Sequence, residues 1–139
     1  MKKLILALLV MMMLLGCGGK SGGAKQMVCK KDNDNQSMII EYSGKKITAV
    51  IVKATIDTEP GEADSMLEYL KQSYSAYEEM ENYNINFTMN SDKTVIDMEV
   101  RINIPDGDYS SLGMFGLSGV GGALEAVRKT LEEAGYSCK

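Results

Sequence analysis

The sequence predicts an α+β fold: an antiparallel sheet built from two strand-turn-strand-helix halves, with two helices packed on one face. Three observations predict it. Residues 94–104 alternate, with Ile96, Met98, Val100, Ile102 and Ile104 on one side and Asp97, Glu99, Arg101 and Asn103 on the other, which is the pattern of a strand with one buried and one wet face. Segments 62–81 and 123–134 instead carry apolar residues at helical spacing. The stretch from Ile39 to Tyr77 also aligns with that from Ile85 to Ala134 at an offset of about 46–48 residues, with an extra loop before the second helix. Each half reads as strand, turn, strand, proline, helix.

The N-terminus comes first. Lys2 and Lys3 precede an apolar run, Leu4 to Leu15, of 12 residues. That is too short for a helix across a bilayer of about 30 Å, and it suits the apolar region of an export signal. The run ends Leu14-Leu15-Gly16-Cys17, which resembles the bacterial lipobox and makes Cys17 the expected lipidation site and membrane anchor. Two acyl chains on one cysteine hold a protein stably, whereas one binds only marginally. We therefore read residues 1–16 as a lipoprotein signal peptide, 17–26 as the lipidated cysteine and a flexible Gly/Ser/Lys tether, and 27–139 as a single α+β domain. Removal of Lys2 and Lys3 with the signal leaves 13 basic and 19 acidic side chains, a net −6. The expected location is the extracytoplasmic face of a cell membrane, with the membrane itself a partner through the lipid on Cys17.

Met27 to Lys30 is a candidate strand. Met38 to Tyr42, the turn Ser43-Gly44-Lys45-Lys46 and the β-branched run Ile47 to Thr58 read as a hairpin. In the first helix, Ala63, Met66, Leu67, Leu70, Tyr74 and Tyr77 form the apolar stripe. Pro60 suits its first turn, and Glu59, Glu62 and Asp64 put negative charge at its N-terminal end. Asn84 to Asn90 and Thr94 to Ile104 make the second hairpin. The last helix shows Leu124, Val127, Leu131 and Ala134 on one stripe, and Gly135 stands where a left-handed C-cap belongs.

Three cysteines less a lipidated one leave Cys29 and Cys138. In an exported, oxidising compartment the expectation is a disulfide between them, and the competing reading is two free thiols.

Taken together, the lipobox cysteine, the glycine-rich tether, Cys29-Lys30 near the mature start, a hairpin, Glu62-Ala63-Asp64 opening a helix, a second hairpin and the ending Glu132-Glu133-Ala134-Gly135-Tyr136-Ser137-Cys138-Lys139 resemble the YehR-like small bacterial lipoproteins, a family built on a domain of unknown function. The resemblance implies a lipid-anchored α+β domain. It carries over no catalytic residue.

Composition closes several chemistries. The chain has no histidine and no tryptophan, so Ser-His-Asp and Cys-His mechanisms and His-containing zinc or haem sites are excluded. With 15 basic against 19 acidic residues there is no cationic excess to neutralise a phosphate backbone, and nucleic acid is not an expected partner. Gly116-Leu117-Ser118-Gly119-Val120 departs from the nucleophile elbow at its last position. Gly119-Val120-Gly121-Gly122 could offer backbone N–H groups to an anion, yet reads better as a flexible helix entry. Asp32-Asn33-Asp34-Asn35 supplies oxygen ligands but lacks the rest of an EF-hand. The seven methionines after Cys17 are scattered through apolar stripes rather than clustered for copper. No cofactor and no metal are expected.

Two features remain. Asp97 and Glu99 fall on one surface of a strand beside Arg101, a spacing that suits acid-base work if burial pushes their pKa values apart, and a solvated sheet face otherwise. The stretch from Asp106 to Val120 interleaves glycines with Tyr109, Leu112, Met114, Phe115 and Leu117. Its apolar residues either cap the core or, at Met114 and Phe115, form a partner-contact surface. The leading expectation is a non-enzymatic binding or interaction domain of the cell envelope, taking a small ligand or an envelope protein. The alternatives are a histidine-free carboxylate enzyme and a purely structural envelope protein.

Overall fold

A computed structural model describes residues 25–32, 34–105, 108–117, 121 and 123–139, and of Met114 the backbone alone. The elements are β1 (Lys25–Lys31), β2 (Gln36–Ser43), β3 (Lys46–Asp57), α1 (Ala63–Glu78), β4 (Tyr83–Met89), β5 (Val95–Asn103), a 3-10 turn (Ser110–Phe115), α2 (Leu124–Glu133) and β6 (Tyr136–Cys138). The strands form one six-stranded sheet in the order β4-β5-β3-β2-β1-β6, and every pairing is antiparallel. The two hairpins meet at the centre, where β3 lies against β5 with Val52 opposite Val100.

Alternation decides which face each strand buries. Met27 and Cys29, Met38 and Ile40, Val50 and Val52, and Val100 and Ile102 form one core cluster with Leu124, Val127 and Leu131 of α2, so α2 lies on that face. On the β4 side of the same face, α1 packs Tyr74 edge-on against Phe87, with ring centroids 6.1 Å apart, and stacks Tyr77 on Tyr83 at 5.8 Å. The helix is loosely seated. Of its expected stripe only Ala63 is buried, and Met66 is turned to the flank at 36% exposure.

The stretch after β5 folds back on the core. Leu112 and Leu117 are fully buried, and Tyr109 and Phe115 pack against the cluster at its rim. Asp108 starts the 3-10 turn by accepting hydrogen bonds from the Ser110 hydroxyl at 2.6 Å and the Ser110 N–H at 3.2 Å. Those two donors hold its carboxyl below the usual range. Gly44, at φ +61°, makes the β2–β3 turn, and Gly135, at φ +95°, ends α2, both in the region that glycine enters without steric cost.

The first strand and the C-terminus differ most from the sequence reading, while β2 starts two residues earlier, at Gln36, and α1 ends three residues sooner, at Glu78, than read. β1 begins at Lys25, two residues into the expected tether, because Lys25 and Gln26 pair with Tyr42 and Glu41. The C-terminus adds a short strand, β6, beside β1, and three residues are too few for periodicity to reveal.

Candidate functional site

Among the described residues, both helices lie on one side of the sheet, and the opposite side is open. There, alternation places Gln26, Ser37, Ile39, Glu41, Ala49, Ile51, Lys53, Thr55, Asn84, Asn86, Thr88, Asp97, Glu99, Arg101 and Asn103. This face divides into a sealed half and an open half.

The sealed half is built around an ion pair. Arg101 of β5 reaches across β3 to Glu41 of β2 and donates two hydrogen bonds, Nη1 to Oε1 at 3.1 Å and Nη2 to Oε2 at 2.6 Å. Its Nε donates to Asn103 Oδ1 at 3.1 Å, and Gln26 Nε2 donates to Glu41 Oε1 at 3.1 Å. The result is a polar strap from β5 to β1. Under it, Ala49 and Ile51 are 1% and 6% exposed although they face away from the helices, because the arginine stem covers apolar surface while its head stays paired. Hydrogen bonds from Arg101 hold the Glu41 carboxyl below its ordinary range against the opposing effect of burial, with Gln26 as a further donor. The same bonds raise the Arg101 guanidinium. Bidentate arginine–carboxylate pairs are the strong, geometrically specific kind.

The open half is a shallow trough of about 400 Å³. Asn35 and Ser37 stand on one side, Lys53 and Thr55 in the middle, and Asp97, Glu99, Asn86 and Thr88 on the other. Thr55 Oγ1 donates to Asp97 Oδ1 at 2.9 Å, and Lys53 Nζ stands 3.3 Å from Glu99 Oε2. The trough therefore offers hydroxyls, amides, two carboxylates and an ammonium in a nearly flat array. This chemistry suits the recognition of a polar, hydrogen-bonding ligand. The carboxylates are open to water, with the Glu99 side chain 47% exposed.

The remaining sequence-derived sites fall as follows. Cys29 and Cys138 are joined, with Cα atoms 4.0 Å apart. They face one another across β1 and β6, and the neighbouring pair Val28–Lys139 exchanges both backbone hydrogen bonds. The cysteines thus occupy the narrow, non-hydrogen-bonded position, where antiparallel strands come closest. Phe115 is half-buried at the core rim, in the same 3-10 turn as Met114. Cys17 lies outside the described residues, as do Asn33 of the candidate calcium turn, Ser118 to Val120 of the candidate elbow and Gly122 of the candidate anion cradle. Among the described residues no group of three or more acidic or cysteine side chains could hold a metal ion, and no helix is long and apolar enough to cross a membrane. The strap was not anticipated. Its sequence signals were a glutamate inside the apolar run Met38 to Tyr42 and an alanine in β3 small enough to lie under an arginine.

The chain matches no protein-family model and no curated protein. Among solved structures, the NMR structure of E. coli YehR superimposes with a TM-score of 0.55 at 13% identity, covering 86% of this chain and 92% of YehR. The chain has a YehR-like fold. The NMR structure of a protein from Streptococcus pneumoniae TIGR4 is similar as well, with a TM-score of 0.54 at 10% identity and 88% of both chains covered. At such identities the YehR-like likeness is one of fold.

Proposed function

We propose that this chain is an exported lipoprotein, anchored to a cell membrane through diacylated Cys17, whose disulfide-closed domain binds a polar ligand or envelope protein non-covalently on the open face of its sheet. The observation that carries the binding reading is the trough. Its groups are arrayed for hydrogen bonding, and its two carboxylates are tied to Thr55 and Lys53 rather than set into an enclosed, water-poor pocket of the kind carboxylate catalysis uses. The anchoring reading is supported by the Leu14-Leu15-Gly16-Cys17 motif and by a Cys29–Cys138 disulfide, which fits an oxidising compartment. The rival, acid-base chemistry by Asp97 and Glu99, uses the same trough.

The test is affinity capture with the native lipidated protein beside an Asp97→Ala/Glu99→Ala variant. A bound species that the wild type retains and the variant loses, unchanged in covalent structure, is expected. Equal capture by both proteins would remove the trough from the account, and chemical conversion of the bound species would favour the enzyme.

A further inference from the structure

We infer that β4 is a pairing edge for a second copy of this chain: two copies add their β4 strands antiparallel about a two-fold axis through Phe87 and join their sheets into one. β4 ends the sheet, and two bonds fix which way its backbone points. Asn103 N–H donates to the Asn82 carbonyl at 2.9 Å, and Asn90 N–H to the Val95 carbonyl at 3.1 Å, so the even positions of β4 bond β5 and the odd positions face outward. Tyr83 N–H is taken by the Met80 carbonyl at 3.1 Å. The N–H and C=O groups of Ile85, Phe87 and Met89 are bonded to none of the described residues. Exposed edges are ordinarily guarded by short length, lysine, proline or a bulge, and the two edges of this sheet differ in that respect. β6 has three residues, and β1 beside it carries Lys25, Lys30 and Lys31. β4, Tyr-Asn-Ile-Asn-Phe-Thr-Met, has seven residues without charge, proline or glycine, and it pairs with β5 without a bulge.

The open groups of this edge are self-complementary. With Phe87 opposite Phe87 of the second copy, Ile85 falls opposite Met89 and Met89 opposite Ile85, so every open donor of one strand meets an open acceptor of the other. An axis at Asn86 would instead call on Tyr83, whose N–H is already used, and one at Thr88 would set Ile85 against the β4–β5 turn. On the helix side the resulting cross-strand pairs are aromatic or apolar, and on the open side Asn86 faces Thr88, so no like charges are opposed along the strands. Beyond them Lys93, which also holds Asp64 at 2.8 Å, comes level with Glu81 of the second copy. The axis runs normal to the sheet, which keeps both α1 helices on one side and both troughs on the other. Asn86 and Thr88 line the trough, and across the axis they meet their counterparts, so two troughs become one polar floor. Each copy spends its unguarded edge and presents its guarded one, and the assembly closes at two.

Cross-linking reads both the pairing and its register. Asn84, Asn86 and Thr88 are exposed on the open face, and in the paired dimer the two Thr88 Cα atoms stand about 8 Å apart and the two Asn84 Cα atoms about 21 Å. The protein as purified from the membrane fraction, full length after processing, is held in detergent at about 0.5 mM, since an edge-to-edge interface is of modest area. It is treated with a bis-maleimide of about 8 Å span, matched to the closer pair, with the wild type as the blank. Thr88→Cys is expected to give a covalent dimer and Asn84→Cys only the wild-type background. Adding Asn86→Lys to Thr88→Cys sets two ammonium groups near the axis while leaving the β5 ladder intact, and the dimer should be lost with circular dichroism and melting temperature unchanged. A folded Thr88→Cys chain that gives no dimer, equal bridging from Asn84→Cys, or a dimer indifferent to Asn86→Lys overturns the pairing. In intact membranes, a Thr88→Cys bridge to a different protein in place of the dimer overturns the second copy as the occupant.

Discussion

Arg101 and Glu41 are the pair on which the open face turns. Replacing Arg101 with Met leaves a half-buried carboxylate without its main donors, and a loss of about 1–2 kcal/mol in urea unfolding is expected, modest because the guanidinium is partly wetted. The pH dependence has a definite sign. The Glu41 carboxyl is lowered in the folded protein by its bonds to Arg101, so the unfolded chain takes up the proton first as pH falls. The stabilisation is complete above the ordinary glutamate range and is lost as pH drops through the folded value. Glu41→Gln should flatten the stability profile below about pH 4.5, and an unchanged acid slope would show that the pair contributes nothing. Phe115, at the core rim, belongs to the same scale. Phe115→Ala is expected to cost about 2 kcal/mol, less than a fully buried phenylalanine, and a loss within about half a kcal/mol would return Phe115 to the exposed-contact reading. The core-capping setting of Phe115 was one of the two readings its sequence offered, but the pairing of Arg101 with Glu41 was not legible. Arg101 and Glu41 are 60 positions apart and meet because β3 lies between their strands, a consequence of sheet order that no local pattern encodes.

Among the elements, the strands with a wet face were the most legible. Ile96 to Ile104 alternates without interruption, and the core takes Ile96, Val100, Ile102 and Ile104 as that alternation requires. The two helices were equally legible as segments, yet their seating was not. Both show apolar stripes, but α2 buries Leu124, Val127 and Leu131, whereas α1 buries only Ala63 and leaves Met66 and Tyr69 exposed. Periodicity reports which side of a helix is apolar. It does not report how deeply that side sinks, which depends on what the sheet beneath offers. Amide hydrogen exchange should therefore divide the helices: α1 is expected to open with a free energy well below the global value, and α2 near it. Protection of α1 equal to that of β3 and β5 would contradict this. The extent of β1 was also hidden, because Lys25 and Gln26 look like tether until Tyr42 and Glu41 are known to lie opposite.

At the scale of the whole molecule, the Cys29–Cys138 bond links residues 109 positions apart, fastening β6 and the end of α2 to the first strand. The chain-entropy estimate for a loop of this size is about 4–5 kcal/mol, and reduction is expected to lower stability by up to that amount. A reduced protein of unchanged stability would mean that the core alone suffices. The pairing was legible in advance because lipidation of one cysteine leaves an even number, and that arithmetic depends on the anchor. The anchor is the claim on which location and redox state both rest. The intact mass of the native protein, extracted with detergent from the membrane fraction, tests it most directly. The account predicts a chain that begins at Cys17, carries a diacylglyceryl group there, and keeps Cys29 and Cys138 closed to alkylation until reductant is added. A chain of unlipidated mass recovered from the soluble fraction, or one still beginning at Met1, would contradict it.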